Sequence, residues 1–291
     1  MTWLEVGIVS VLNGLAIGSV LFIVAVGLSL VFGMMDVLNL AHGALFLAGA
    51  YAAWFIAGEN PTAAAFAIAL AAAAAVGALA GGGLSLLVAP LARRSHLDQA
   101  LLTLGIALVV AELLSLAFTK EVRAVNPPRG LDGGLDVLST RYPLYRLALI
   151  GIGLALALAM HYTVERTSLG ALVRATVDDR DMVAAAGVDV RVVRAAVFAV
   201  GSALAMAAGV LGSPIYNARP GLDVTVLILA LVVVVIGGLG SVRGVLLAAV
   251  LIGQIESVGR LVLSDLASFL MFGALALVLA LRPRGLFRVA S

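Results

Sequence analysis

Asn39 and His42 stand three residues apart inside the apolar run from Val37 to Ala57. At that spacing two side chains share one helix face, so the amide and the imidazole can present hydrogen-bonding groups to the same neighbour. Asp36 stands just upstream, where it is placed to cap such a helix. Two readings follow. The pair lines a pathway for a small polar solute, with a helix start aimed inward as in broken transporter helices, or it bonds adjacent helices as packing glue. Both stay open on sequence grounds. A lone imidazole with no second His or Cys near it is poor evidence for a metal site.

Other polar residues interrupt apolar runs: Asn13, Glu112, Asp223, Gln254 and Glu256. A strongly polar or charged side chain at the bilayer centre costs about 2.5–3.5 kcal/mol on insertion scales, so each calls for a reason. Glu112, midway along its run with no cation near it in sequence, must face a cavity or a partner, and a proton relay is one role open to it. Gln254 and Glu256 flank Ile255 and point different ways on a helix, so at most one faces a pathway. The pathway candidates are therefore Asn13, Asn39, His42, Glu112 and Gln254. No catalytic residue emerges, because no Ser-His-Asp, HExxH or paired-carboxylate arrangement has workable spacing. The run GGLGSVRG at Gly237–Gly244 lacks the GK[ST] ending of a phosphate loop, and Lys120 is the chain's sole lysine. It reads as a tight turn between helices. With no ATP-binding motif, the chain cannot drive ATP-powered transport alone.

The elements that must position these residues are membrane helices. The 291 residues are 63% hydrophobic and 12% charged, with a mean hydropathy of +1.17, too little polar surface to cover a soluble core. Apolar blocks of about 20 residues match a bilayer core of about 30 Å, and without period-two alternation they can pair their backbone only as helices. The expected fold is all-α, a polytopic transmembrane bundle of eight to nine spans in one domain, 1–291. Spans are placed near 6–33, 37–57, 62–89, 99–118, 144–163, 195–213, 222–238, 243–263 and 266–281. The first is long enough to hide a break near Gly27 or Gly33. With no basic n-region or cleavage site at its start, it reads as an uncleaved anchor.

A net charge of +2 is dispersed between apolar blocks rather than gathered into a patch, which argues for topology rather than nucleic acid. Placing 93–94, 166–194, 243 and 282–288 in the cytoplasm puts eleven basic residues inside against seven outside. The 119–143 loop is then extracytoplasmic, too short and turn-rich to fold alone, and can only cap or touch a partner. The absence of cysteine removes disulfides and thiolate sites. Ala73, Gly77, Gly81, Ser85 and Ala89 repeat every fourth residue on one helix face and read as an internal packing face in preference to a subunit contact.

Residues 164–194 form the longest polar stretch on the proposed cytoplasmic side. Its middle, Asp178 to Ala186, has acidic residues first and Gly187 last, which predicts a short helix. That helix offers Met182 and Val183 beside charges and either docks a soluble partner or is a solvated connector.

Several pieces together resemble the LivH-like permease subunits of branched-chain amino-acid ABC importers. They are Asn13-Gly-Leu-Ala-Ile-Gly-Ser19, GMMDVLNLAHG at Gly33–Gly43, the DDRDMVAAAGVDVRVVRAAVFAVGSALAMAAGVL segment, GGLGSVRG and Arg282-Pro-Arg-Gly-Leu-Phe287. The resemblance implies a type II importer fold, paired with a second related permease in a bacterial or archaeal inner membrane. It also implies two cytoplasmic ABC ATPases carrying ATP and Mg, with no cofactor on this chain, and a periplasmic or lipid-anchored solute-binding protein. Asp178, Asp179, Arg180, Asp181, Met182, Val183, Ala184, Ala185, Ala186 and Gly187 would form the element that couples to an ATPase. No glutamate precedes the alanines here, so an acidic role falls to Asp181 by analogy. The implied solute is a branched-chain amino acid or a related aromatic acid, urea or amide. The rival is a self-sufficient proton-coupled secondary transporter using Glu112 or Glu256.

Overall fold

A computed structural model describes residues 3–35, 37–91, 95–118, 121–137, 140–262 and 267–282. Within them, Leu-, Val- and Ala-rich runs form α1 (Trp3–Met35), α2 (His42–Ala57), α3 (Ala63–Val88), α4 (His96–Phe118) and α5 (Leu144–Arg166). Two short helices, α6 (Ser168–Asp178) and α7 (Arg180–Ala185), lead to α8 (Val190–Tyr216), α9 (Leu222–Gly237), α10 (Val242–Val262) and α11 (Ala267–Leu281). Six of the described helices are long and apolar enough to cross a bilayer: α1, α3, α4, α5, α8 and α10. The remaining three expected spans appear as shorter apolar helices, α2, α9 and α11. The chain is thus an all-α polytopic bundle with six candidate spans. At 16 residues each, α2 and α9 reach only about 24 Å.

α1 and α8 form the centre. They run antiparallel and cross where a methyl on Gly27 would lie 2.7 Å from the Gly201 carbonyl oxygen. α3 lies on α8 and α10 lies on α1, each through glycine notches that let backbones meet. Gly77 and Gly81 face the α8 backbone at Ser202 and Phe198, so the four-residue stripe is an internal packing face as expected. On the other side Gly18 faces Ala249, and Gly253 faces Gly14. α1 is unbroken through Gly27 and Gly33. Those glycines admit neighbours instead: α8 at Gly27, and the turn at Gly240 beside Gly33.

The two halves are built alike. α2 and α9 have equal length at an offset of 180 residues (42 to 222, 57 to 237). The turn that starts each is closed by His42 N–H to Asn39 O and by Leu222 N–H to Arg219 O. Each ends on a glycine of positive φ, Gly58 and Gly238, whose N–H bonds four residues back. The next helix is capped by a hydroxyl in both: Thr62 accepts from Ala65 N, and Ser241 from Gly244 N. Because α1 and α8 are antiparallel, the halves form an inverted repeat.

Between Phe118 and Leu144 the chain forms a hairpin, β1 (Gly134–Val137) with β2 (Thr140–Pro143), which apolar patterning did not announce. This segment lies across helix ends. Arg123 pairs its backbone with Ala218, Asn126 N–H donates to Glu59 O, and the Arg123 guanidinium sits 4.5 Å over Trp54. At the opposite end Glu165 of α5 binds Arg243 of α10 at 2.9 Å and contacts His161 at 3.0 Å.

Candidate translocation site

The Asn39 and His42 pair does not share a helix face. α2 begins at His42, and of the residues before it 37–39 are irregular and 40–41 form a turn. Asp36 itself lies outside the described residues. The start of α2 has no side-chain cap; instead the Asn39 Oδ1 accepts from Ala41 N–H at 3.1 Å, closing a turn just before the helix.

This non-helical segment is held by a residue that sequence reading missed. Thr103 of α4 accepts from Leu40 N–H at 3.1 Å, and its hydroxyl lies 3.0 Å from Leu38 O, with the Gln99 and Ala100 carbonyls of its own helix sharing the same proton at 3.1 Å. A lone Thr in an apolar helix gives no hint of this until the break is known. Thr103 lies seven residues into α4, about 10 Å from that helix's start, so the break is inside the bundle.

Asn39 and His42 are both fully buried. The His42 Nε2 donates to Val24 O of α1 at 2.9 Å, and Gly27 leaves the space that the ring fills. With the proton on Nε2, the neutral ring presents Nδ1 as an acceptor. Among the described residues neither His42 Nδ1 nor Asn39 Nδ2 has a partner. One buried acceptor and one buried donor are therefore left open at the start of α2, an arrangement that native interiors rarely keep.

A second helix start meets this one. The carbonyl of Asp223, in the first turn of α9, closes against Gly43 so tightly that a methyl there would collide with it. Asp223 is itself buried, 9% exposed. Two short helices thus bring their amino-terminal ends together between α1, α4 and α8. First-turn N–H groups lack intrahelical acceptors, and both helix dipoles place positive potential here.

The other pathway candidates lie elsewhere. Asn13 accepts from Arg146, tying α1 to α5 near the hairpin. Gln254 donates to Val11 O at 2.9 Å and packs its amide against Gly14, and Ser257 donates to Ser10 O in the same α1–α10 seam. Glu112 sits on the exposed face of α4, six residues before its end, and Glu256 is half-buried in α10. A polar groove of about 470 Å³ lies under the hairpin end, lined by Asn60, Asn126, Arg129 and Asp132.

The connector differs in detail from its expected single helix. α6 precedes it, capped by Thr167, and α7 is the shorter piece Arg180–Ala185, capped by Asp179 accepting from Met182 N–H at 2.9 Å. Gly187 turns the chain at φ +86°, and Asp189 caps α8. Met182 is 68% exposed but Val183 only 8%, so the two do not form one docking face. Val183 packs into its own chain.

Residues 10–281 match the family described as branched-chain amino acid transport system / permease component. The chain is 27% identical over 287 residues to the high-affinity branched-chain amino acid transport system permease protein BraD of Pseudomonas aeruginosa, covering 94% of this chain and 93% of that one. The corresponding LivH proteins of Salmonella typhimurium and Escherichia coli are 26% and 25% identical, with the same coverage. No solved structure matches.

Proposed function

This chain belongs to the branched-chain amino acid transport system permease family, and from that premise we propose that it is one permease subunit of an ATP-driven importer for branched-chain amino acids or a related small organic solute. The observation that carries the reading is the end-to-end family match, from residue 10 to 281. The broken segment before α2, with its open donor and acceptor, supports a pathway along the α1–α8 centre. In this reading the subunit pairs with a second related permease in a bacterial or archaeal inner membrane. Two ATPases carrying ATP and Mg sit on the α6–α7 side, and a binding protein delivers solute at the hairpin end. The polar groove by Asn126 and Arg129 suits a hydrophilic lobe better than lipid.

ATP-driven closure of the ATPases pushes on α6–α7, and α8, which follows directly, carries that motion to the centre. Exposed Met182 is the contact residue, whereas buried Val183 holds α7 to its own chain. Met182→Asp should therefore abolish coupled uptake with the subunit still inserted, and Val183→Asp should lower its yield. The reading is tested in proteoliposomes holding this chain with a second permease of the same family, ABC ATPases and a solute-binding protein from the same genome. ATP-dependent uptake of radiolabelled leucine or a related solute is expected. Uptake by the chain alone under a pH gradient would replace this reading with a secondary transporter.

A further inference from the structure

α5 is attached differently at its two ends. At the hairpin end it is pinned by buried groups: the Tyr145 hydroxyl, on a residue 3% exposed, donates to Leu211 O of α8 at 2.7 Å, and Arg146 donates to Asn13 of α1. At the other end it is tied to α10 by Arg243, whose Nη2 donates to Glu165 Oε2 at 2.9 Å and to His161 Nε2 at 3.2 Å. An Nε2 that accepts puts the ring proton on Nδ1, which faces Glu165 Oε1 at 3.0 Å. Arg243 and His161 thus hold both oxygens of one carboxylate.

The two sides of this contact belong to different bodies. Glu165 and His161 go with α6. The Thr167 hydroxyl donates to Thr163 O at 2.6 Å and accepts from Gly170 N–H at 3.2 Å, and Arg174 donates to Val164 O. A methyl on Gly170 would collide with the Thr163 and Val164 carbonyls, so the end of α5 and the start of α6 form one tight corner, and α7 follows it. Arg243 stands instead on the turn fixed to α1. There Gly240 N–H donates to Ser29 Oγ at 3.0 Å, Gly33 leaves room for Gly240, and Gly237 meets Gly244 backbone to backbone. The contact is also one that can part. The Glu165 and Arg243 side chains are 37% and 60% exposed, so water replaces each partner as they separate, and ion pairs of this kind are weak. A buried pair would leave desolvated charges behind.

Resting on the transport reading above, we infer that Glu165, His161 and Arg243 form a latch between α5 and α10, shut in this structure, that has to open each time α6–α7 drives transport. A push on α6–α7 pivots α5 about its buried hairpin end and draws Glu165 away from Arg243. A latch must let go for solute to pass, whereas a static brace must hold.

The test uses the assembled importer in proteoliposomes. The chain has no cysteine, so Glu165→Cys with Arg243→Cys supplies the two thiols of this subunit. They are bridged by propanediyl bis-methanethiosulfonate, which fills the gap left by both side chains and is removed by dithiothreitol; bridging is read by mass spectrometry. Untreated, the double variant is expected to keep most of the wild-type ATP-driven uptake. Bridged, it should lose uptake at least tenfold, and dithiothreitol should restore it. Wild type and each single variant, treated alike, should keep theirs. Undiminished uptake by the bridged protein would overturn the latch, as would equal loss in the treated single variants. Loss of uptake already in the untreated double variant would make the pair a brace, and thiols that cannot be bridged would deny the contact itself. Absence of uptake by the untreated wild type is a different result: it removes the transport reading, and the latch with it.

Discussion

The chain approaches α2 through Asn39-Leu40-Ala41 and approaches α9 through Arg219-Pro220-Gly221, with the same closing turn in both. The first approach is held by side chains. Thr103 clamps the segment, Asn39 closes the turn, and His42 reaches α1. The second is held by backbone, through the Arg123–Ala218 bridge and the left-handed Gly221, φ +83°. The two approaches thus share their turn geometry but differ in what holds it, side chains in the first and backbone in the second.

The largest expected effect comes from the contact the two breaks share. Gly43→Leu would drive a side chain into the Asp223 carbonyl and Leu227, displacing both helix starts together. Overpacking of this kind costs about 3 kcal/mol or more. Monodisperse protein should be lost on size-exclusion chromatography, while Gly82→Leu, at a place with no atom near, should behave as wild type. A well-behaved Gly43→Leu protein would separate the two breaks.

The next effect sharpens the difference between them. Thr103→Val leaves Leu40 N–H and Leu38 O unpaired inside the bundle, a loss of about 2 kcal/mol. Arg123→Lys keeps the backbone bridge and gives up mainly the stacking on Trp54, worth about 0.5–1 kcal/mol. Thermal unfolding in detergent should therefore rank Thr103→Val below Arg123→Lys. The reverse order would mean that side chains, not backbone, hold the second break. Smaller again, Gly58→Ala and Gly238→Ala each force a left-handed residue and should each cost about 1 kcal/mol. Similar losses support equivalent helix ends, and a loss at only one would break the repeat.

How much of this was legible follows from what hydropathy reports. Burial in lipid or protein, helix period and glycine turns all leave marks in composition, so the polytopic bundle, the Gly237–Gly244 turn and the stripe through Gly77 and Gly81 could be read directly. Residues 37–41 could not, because Val37, Leu38, Leu40 and Ala41 are as apolar in a non-helical segment as in a helix. Their hydrogen bonds go to Thr103, more than sixty positions away. The repeat was hidden for a related reason. α2 carries small and aromatic residues where α9 carries Val, Leu and Ile, since one lies under α4 and α8 and the other against α1 and α10. What the halves share is turn chemistry at their ends. The burial of Val183 leaves no mark in the sequence either, because a short connector helix has too few turns for its buried side to show a period.

The smallest effect is the most exact test of the shared ends. Thr62 and Ser241 each cap the helix after a short one, accepting a backbone N–H at 3.1 Å. Replacing either by Ala should cost about 1 kcal/mol, the usual worth of a hydroxyl cap. Thr62 is exposed at the hairpin end, where water replaces the lost acceptor, so its value should fall at the lower side of that figure. Ser241 is half-buried in a turn already pressed on α1, where Ser29 Oγ accepts from Gly240 N–H at 3.0 Å. Losing the cap there loosens the turn against the central helix, and the cost should exceed that at Thr62. A double substitution should be additive, because the caps lie at opposite ends of the bundle. Strong non-additivity would show the two ends to be mechanically linked through α1 and α8, a stronger form of the comparison than shared geometry.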